Sequence, residues 1–250
     1  MIIKHPTQAD IPGLRSLWLQ AFGDTDAFLD SFFSTAFSPD RCLCISADGT
    51  IAAALYWFDC SCRGKKMAYL YAVATDEDYR GRGLCHALME HAHSLLQKSG
   101  YAGVILVPGG ESLFRFYGNM GYITFGGMDT LSVHAEMSPV VLQKIGAEKY
   151  AALRKTYLPQ DSVLQEGITL SFLQEFADFF AGDDFVFVAF YENDQLICPE
   201  FMGNTKVCGN ILTALNKAQG QFRTPGNDKF AMYLPLTSDA PPSYFGLALD

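Results

Sequence analysis

The stretch that decides the fold is residues 69–96, YLYAVATDEDYRGRGLCHALMEHAHSLL. It reads as an apolar strand, a turn with three acidic residues, two glycines, and then a helix. The first turn of a helix leaves backbone N–H groups unpaired, and the helix dipole adds positive potential there. Gly81 and Gly83 let an anion approach the backbone, and Arg80 and Arg82 add positive charge. The sequence therefore predicts a pyrophosphate site at this junction.

Two common glycine-rich nucleotide motifs do not fit this junction. A dinucleotide-binding fingerprint needs a third glycine at the position where this chain has His86. A phosphate-binding loop of the nucleotidase type needs Gly-Lys followed by Ser or Thr, which the sequence lacks. The pattern that fits is R-x-x-G-x-[GA] over residues 80–85, with Cys85 in the last position.

A second motif follows at residues 116–122, where FYGNMGY fits the pattern F-Y-x-x-x-G-[FY]. With both motifs, residues 1 to about 136 resemble the GCN5-related N-acetyltransferases (GNAT). The resemblance implies an α/β GNAT fold, with a mixed, largely antiparallel sheet whose central strands splay apart. It also implies acetyl-CoA as cosubstrate, and direct attack of a primary amine on the acetyl group.

The resemblance assigns roles to individual residues. Tyr117 is the general acid that protonates the departing CoA thiolate, and Phe114 flanks the cofactor. The backbone of Val73–Thr75 bonds the pantetheine arm. One departure is that the asparagine usual in the family after the strand at 104–107 is replaced by Pro-Gly-Gly at 108–110. The residues expected to bind the cofactor are Val73, Ala74, Thr75, Arg80, Gly81, Arg82, Gly83, Leu84, Cys85 and Phe114.

The general base is not apparent in the strand before the loop. Many GNAT enzymes place a glutamate there, but residues 68–74 carry no carboxylate. Residues 244–249, YFGLAL, form an apolar run that ends on Asp250. In the enhanced-intracellular-survival type of GNAT, which the chain resembles most closely, a C-terminal carboxylate accepts the proton. The resemblance therefore makes Asp250 the candidate base; the alternative is a terminal strand that only completes a sheet.

Ser138-Pro139 is the predicted boundary between two domains. Residues 1–137 are predicted to form the acetyl-CoA-binding GNAT domain. Residues 138–250 are predicted to form a degenerate, smaller GNAT-like α/β domain that lacks the pyrophosphate motif; chance similarity between two α/β segments is the alternative. Helices are expected over 140–157, 172–180 and 204–219, and strands over 185–191, 195–202, 230–234 and 244–249.

Composition limits the partners and the compartment. The chain has 18 basic and 27 acidic residues, a formal net charge of −9, which disfavours nucleic acid. No apolar run reaches the ~18 residues of a membrane span, and the first residues do not form a signal peptide. Seven cysteines, an odd number, suggest reduced thiols. We expect a cytoplasmic protein without membrane or nucleic-acid partners; whether it forms a homo-oligomer is open.

The cysteines and histidines offer weaker hypotheses. The pairs Cys42/Cys44 and Cys60/Cys62 have a C-x-C spacing on strands, which favours buried structural thiols over a metal site. Cys85 lies at a helix start, where a lowered pKa would make it an acyl-carrying nucleophile. A further metal-binding alternative comprises residues that share one face of the same helix: His86, Glu90 and His93. A solvated polar face is the simpler interpretation of that helix face, and no metal is expected.

Two classes of function stay open from the sequence. The first is an N-acetyltransferase that moves acetyl from acetyl-CoA to an unidentified primary amine. The alternative is a non-catalytic acetyl-CoA-binding sensor or interaction module. Tyr117 favours catalysis, because a phenol is a competent short-range proton donor. Aromatic residues that would line an acceptor pocket, or simply pack in the core, are Trp57, Phe58, Tyr69 and Tyr71.

Overall fold

The computed structural model describes residues 2–249. Its helices are α1 (Ile11–Phe22), α2 (Asp26–Ser31), α3 (Leu84–Lys98), α4 (Glu111–Gly118), α5 (Ala147–Tyr157), α6 (Ile168–Leu173) and α7 (Cys208–Ala214). Its strands are β1 (Ile2–Lys4), β2 (Cys42–Ala47), β3 (Thr50–Cys62), β4 (Lys65–Thr75), β5 (Gly103–Leu106), β6 (Ile123–His134), β7 (Gln143–Ile145), β8 (Asp178–Ala181), β9 (Phe185–Glu192), β10 (Gln195–Cys198), β11 (Phe201–Gly203) and β12 (Gln219–Pro235). Among the described residues, no helix combines the length and apolarity that a membrane crossing requires.

The strands form a continuous order β1-β2-β3-β4-β5-β12-β10-β9-β8-β7, with β6 also paired to β12 and β11 to β9. Most neighbours are antiparallel, whereas β4 and β5 are parallel, as are β10 and β12. α3 packs on β2, β3 and β4, while α1 packs on β3 and β4. The predicted α/β GNAT fold with a mixed, largely antiparallel sheet is confirmed.

β12 joins the two parts of the chain. Residues 219–225 pair with β6, and residues 219–222 also pair in parallel with β10. After an irregularity between Pro225 and Lys229, residues 232–235 pair with β5 and residues 231–233 with β6. One strand of the second segment thus lies between two strands of the first. The division into two domains at residue 137 stays a prediction.

The central strands splay as predicted. β4 and β5 pair only from Met67 to Tyr69, opposite Gly103 to Ile105. β4 then continues to Thr75 without a partner on that side among the described strands. The backbone of residues 70–75 therefore borders an open wedge.

Several elements of the second segment differ from prediction. α5 begins at Ala147 because residues 143–145 form β7, an edge strand that pairs with β8. The predicted helix at 172–180 is wrong except at residues 172–173, since α6 ends at Leu173 and residues 178–181 form β8, which pairs with β9. Both differences come from long-range strand pairing, which overrides local helix propensity.

The run at 244–249 is buried but is not a strand. Its residues lie in the core, yet they join no ladder. Tyr244 O accepts a hydrogen bond from Val163 N–H at 2.9 Å, and Leu247 O accepts one from Gln165 Nε2 at 2.6 Å. The tail is therefore held by isolated hydrogen bonds and by apolar burial, which a strand pattern in the sequence does not distinguish.

The β2–β3 hairpin shows how a bulge shifts register. Ser46 pairs with Ile51, and a regular register from that pair would place Cys44 opposite Ala53, but Cys44 pairs with Ala54. The shift follows from an irregularity between Ile45 and Ser46. The cysteines of both C-x-C pairs are buried in one apolar cluster, as predicted: Cys42, Cys44, Cys60 and Cys62.

Candidate active site

The loop before α3 leaves open space above its backbone. Gly81 and Gly83 have φ of 74° and 73°, a left-handed conformation, and no atom lies within 4 Å of the position that a Cβ would occupy. Gly83 is the helix N-cap and has no capping side chain. The ladder of α3 starts with the bond from Ala87 N–H to Gly83 O, 3.0 Å, which leaves the N–H groups of residues 84–86 outside the ladder.

The side chains of the two arginines in the loop line different depressions of the surface. Arg80 lines the cleft beside the glycines, and its Nε donates to Thr75 O at 3.2 Å. Arg82 donates from Nη2 to Asp78 O at 2.8 Å and lies over the Tyr79 ring, 4.9 Å from its centroid. Arg82 borders a separate surface depression next to β1 and β2. The structure thus places Arg80, and not Arg82, in the cleft wall.

The cofactor lobe, as we call the part of the cleft next to this loop, has a volume of about 480 Å³. It is lined by Ala21, Phe22, Val73, Ala74, Thr75, Tyr79, Arg80, Gly81, Gly83, Leu84, Cys85, His86, Leu113, Phe116 and Tyr117. Most residues expected to bind the cofactor are thus brought together. Phe114 is the exception besides Arg82: it packs against the core cluster beneath α3.

A bulge in β4 lies at the back of the cleft. Tyr71 pairs with Tyr56 and Ala74 with Ala54, so Ala72 and Val73 oppose a single residue of β3. Ala72 has φ of 49°, which is uncommon for a residue other than glycine and is typical of functional sites. Sequence reasoning missed this bulge because alanine gives no signal for positive φ.

Tyr117 lies on α4 and lines the cofactor lobe. Its side chain is only 7% exposed, and its ring packs edge-to-face on Tyr122 with centroids 5.7 Å apart. Burial, with a smaller contribution from Cys85, raises the pKa of Tyr117 well above its ordinary value. Tyr117 is therefore protonated at neutral pH and able to donate a proton.

Cys85 differs from the prediction. Burial raises the pKa of the Cys85 thiol to about 11, whereas its place at a helix start suggested a lowered value. The cause is the desolvation of the half-buried side chain, which disfavours the thiolate. At neutral pH the thiol is protonated, so the structure does not support an acyl-carrying thiolate at this position.

The polar residues that share one face of α3 have different surroundings. His86 Nε2 lies 3.3 Å from Glu90 Oε1, and both side chains are exposed. His93 is half-buried, and its Nε2 lies 2.8 Å from the Tyr122 hydroxyl. Burial lowers the pKa of His93 to about 4. His93 therefore packs as a neutral ring against a neighbouring tyrosine.

A second cavity, the acceptor lobe, has a volume of about 570 Å³ and opens on the other side of Tyr117. Four side chains line both lobes: Phe22, Val73, Leu113 and Tyr117. The remaining lining residues of the acceptor lobe are Trp18, Asp24, Phe28, Tyr69, Leu70, Tyr71, Ala72, Val107, Pro108, Gly109, Phe176, Phe190, Glu192, Ile197, Pro199, Arg223 and Leu249. The two lobes meet beside the bulge of β4.

Sequence reasoning identified only part of the acceptor lobe. Tyr69 and Tyr71 line it, whereas Trp57 and Phe58 are buried in the core and do not. The other aromatic and acidic lining residues come from α1, α2 and the second segment. They are far apart along the chain, and no local pattern in the sequence connects them.

The tail at 244–249 reaches this lobe. Leu249 lines it, and Leu249 N–H donates to the Tyr69 hydroxyl at 3.3 Å. The Tyr69 ring packs on Phe245 with centroids 4.8 Å apart. Asp250, the candidate base, lies outside the described residues.

A buried ion pair fixes the other end of the tail. Glu200 accepts from Arg154 Nη2 at 2.8 Å, from the Tyr150 hydroxyl at 2.9 Å and from the Tyr244 hydroxyl at 3.1 Å. Arg154 and Glu200 are both fully buried. Because several donors satisfy the carboxylate, the charge is compensated and Tyr244 is held in place.

Comparisons with known proteins agree with this geometry. Residues 2–125 match the family described as acetyltransferase (GNAT) domain, and no curated protein matches the chain. Among solved structures, GCN5-related N-acetyltransferases from Kribbella flavida and Anabaena variabilis give TM-scores of 0.70 and 0.69, at 16% and 14% identity. Each similarity covers 94% of this chain. It covers 72% of the protein from Kribbella flavida and 73% of the protein from Anabaena variabilis. At these identities they show the fold alone.

Eis1 from Mycobacterium abscessus is similar as well. Its TM-score is 0.66 at 11% identity, over 94% of this chain and 74% of that protein. The similarity extends through both segments of the chain, so the second segment shares in the common architecture.

Proposed function

We propose that this chain, which has the GNAT fold and matches the acetyltransferase (GNAT) domain over residues 2–125, transfers acetyl from acetyl-CoA to a primary amine by direct attack. The observation that carries the proposal is the meeting of two lobes at one buried tyrosine. One lobe contains an open helix N-terminus, and the other contains aromatic and acidic side chains. A donor and an acceptor bound in these lobes would meet beside Tyr117.

The loop before α3 fits a pyrophosphate. Gly81 and Gly83 offer open backbone, residues 84–86 offer N–H donors, and Arg80 adds a positive charge. Acetyl-CoA bound there would supply the thioester whose acetyl group is transferred. The pantetheine arm would run along β4, whose edge at residues 70–75 is open to the wedge.

Backbone N–H groups at the bulge of β4 would polarise the thioester carbonyl. At Ala72 and Val73 the bulge interrupts the ladder with β3. A backbone N–H of residues 73–75 would polarise the carbonyl oxygen, as fixed amide donors do in acyl transfer. Tyr117, kept neutral by its raised pKa, would hold the proton that the CoA sulfur takes as it leaves.

The amine would arrive through the acceptor lobe. A primary ammonium, with pKa near ~10, has no lone pair and must lose a proton before attack. We propose Asp250 as the acceptor of that proton, because Leu249 lines the lobe. We also propose that the second segment has a degenerate GNAT architecture, which would support the tail at residues 244–249.

The central test is Tyr117→Phe in the full chain. Without the hydroxyl, kcat should fall by about 100-fold or more, while acetyl-CoA binds as before, because the proton is needed only as the thiolate leaves. Release of CoA thiol with a mixture of amines gives kcat, and calorimetry gives the affinity.

Tyr122→Phe is the matched control. Tyr122 packs against Tyr117 but lines neither lobe, so this variant should keep full turnover. Full turnover by Tyr117→Phe would remove Tyr117 from the mechanism. Tight binding of acetyl-CoA by the natural chain, without CoA release with any amine, would favour the sensor function instead.

A further inference from the structure

The lining of the acceptor lobe points to a narrower class of acceptor. We propose that the acceptor is an arylalkylamine, a primary amine with one aromatic ring and one positive charge. The inference rests on the proposed transferase function, and it concerns only the lobe that receives the amine. It disfavours acceptors with several cationic groups, such as polyamines and aminoglycosides.

The first observation is a row of aromatic rings along one wall. The Trp18 and Phe28 rings have centroids 6.3 Å apart, Phe28 and Phe176 5.3 Å, and Phe176 and Phe190 5.8 Å. Phe176 comes from the second segment, so both parts of the chain build the wall. The spacings lie in the range that aromatic pairs prefer, and a ring bound in the lobe would extend the row.

The second observation is that two of the aromatic rings that line the lobe, one of them in this row, are open to water. Phe176 is 37% exposed and Phe22 is 46% exposed, although both line a cleft. Large apolar surfaces left open to water in a concave site are typical of binding sites for apolar groups. A flat hydrophobic group would cover the exposed face of Phe176, whereas a sugar or a polyamine chain would leave it open to water.

The third observation is the charge of the lobe. Its described lining residues include two carboxylates, Asp24 and Glu192, and one guanidinium, Arg223, a formal charge of −1. Asp250, the proposed base, stands outside this balance because it would take up the proton of the attacking amine, so a net charge of −1 is left to pair with one cationic group. An acceptor with three or four ammonium groups would lack carboxylates to pair with, and each unpaired charge would lose water on binding.

Asp24 is well oriented to attract a single ammonium. Its Oδ2 accepts from Trp18 Nε1 at 2.7 Å, which fixes the carboxylate beside the aromatic wall. Carboxylates and aromatic faces both favour cations. Val73 and Tyr117 line both lobes, so a short alkyl linker would let the ring contact the wall while the nitrogen reaches the junction.

The experiment compares amines with the full chain and acetyl-CoA, following CoA release. Phenethylamine and tryptamine are the aromatic monoamines, cyclohexylethylamine is the saturated analogue, and spermidine and kanamycin are the polycations. We expect kcat/KM for phenethylamine to exceed that for spermidine and kanamycin by about 10-fold or more. The saturated analogue should fall between them, since it keeps the apolar contact but loses ring–ring geometry.

Phe176→Leu tests the wall itself. It should raise KM for phenethylamine by about 2- to 10-fold, the range of one aromatic pair, with kcat and the affinity for acetyl-CoA unchanged. Phe33→Leu is the matched control, because Phe33 is a half-buried aromatic residue near the same helices that lines neither lobe. It should leave KM unchanged.

The outcomes separate this inference from the proposed function. CoA release that is faster with spermidine or kanamycin than with phenethylamine would overturn the inference and keep the transferase. The inference would also fail if the chain showed no preference among amines but used octanoyl-CoA better than acetyl-CoA, since the lobe would then hold an acyl chain. Absence of CoA release with every amine would overturn both.

Discussion

Two helices, α3 and α7, follow a strand and a short turn, but they begin in opposite ways. α3 starts at Gly83, which has no side chain to cap the helix. The turn before α7 starts at Asn204, whose side chain accepts from Lys206 N–H at 3.2 Å and donates to Asp184 Oδ2 at 2.9 Å. The first helix leaves its N–H donors available, while the second turn uses its own side chains.

The space above the two turns differs as well. A Cβ on Gly83 would meet nothing within 4 Å, whereas one on Gly203 would lie 2.2 Å from Asp184 O. Asp184 also brings a negative charge, which would repel a phosphate. The loop before α3 thus leaves the space above its glycines open, whereas the turn before α7 fills that space with backbone atoms of Asp184 and caps itself with Asn204.

The largest effect is expected from breaking the ion pair of the second segment. Arg154→Met leaves the Glu200 carboxylate buried without its cation, and should lower the free energy of unfolding by about 3–5 kcal/mol. Urea unfolding at neutral pH measures the loss. Arg154→Met combined with Glu200→Gln should recover part of it.

Arg154→Met also tests whether the ion pair of the second segment affects the binding of acetyl-CoA. If the pair only stabilises the fold, the folded fraction of Arg154→Met should bind acetyl-CoA as tightly as the natural chain. A loss of less than 1 kcal/mol would contradict the assignment of the pair as a compensated buried charge.

The next effect concerns the open turn. Gly83→Asp gives α3 an acidic group of the kind that Asp184 provides near α7, and should weaken acetyl-CoA binding by about 100-fold, or about 2.7 kcal/mol. Isothermal titration calorimetry measures the affinity.

Gly64→Asp is the matched control for this change. Gly64 has φ of 72°, close to the 73° of Gly83, and equally open surroundings, but it lies in the β3–β4 turn. Both variants carry the same backbone strain and the same charge, so only Gly83→Asp should lose affinity. Equal affinities in the two variants would place the pyrophosphate elsewhere.

The third effect is a pH dependence of the stability. It is expected from α3, which contains the half-buried His93, whereas α7 contains no histidine. Burial lowers the pKa of His93 to about 4 in the folded chain, below the ordinary value of about 6.5. Between these values the unfolded state binds more protons, so stability falls as pH decreases from 6.5 towards 4. From pH 7 to pH 5 the loss should be about 2 kcal/mol.

Urea unfolding at the two pH values measures this loss, and His93→Asn tests its source. The variant should be less stable at pH 7, because the ring no longer packs on Tyr122. Its stability should change less between pH 7 and pH 5. An unchanged slope in His93→Asn would assign the acid sensitivity to other groups.

The smallest effect is expected at Cys85. Because burial raises the pKa of the thiol to about 11, the side chain serves only as a small residue behind the loop. Cys85→Ala should therefore change kcat by less than about 2-fold. Loss of all turnover with acetyl-CoA still bound would restore the nucleophile hypothesis.

The parts of the fold that were predictable depend on local signals. β4 and α3 lie where the strand, turn and helix pattern of residues 69–96 predicts them, since an apolar run, glycines and a helix pattern all lie within 35 residues of one another. The loop proposed to bind a pyrophosphate is continuous in sequence, so its residues could be predicted together. Only Arg82 and Phe114 were assigned to a lobe that they do not line.

The parts that were missed depend on distant partners. The helix predicted from residue 140 starts at Ala147 because β7 finds an edge partner in β8. The acceptor lobe combines Trp18 with Phe176 and Leu249, which nothing in the sequence connects. The bulge at Ala72 has no residue signature, since its conformation is imposed by the pairing on either side.

The path of β12 has a consequence for how the protein is made. Until residues 231–235 emerge from the ribosome, β5 and β6 lack the strand that lies between them. The edges of β5 and β6 therefore stay unpaired while about a hundred further residues are translated, at roughly 5–20 residues per second. Unpaired strand edges are templates for pairing with other chains, so aggregation is expected to compete with folding until β12 is in place. The same path means that a gene cut after residue 137 would encode an incomplete sheet rather than a smaller enzyme.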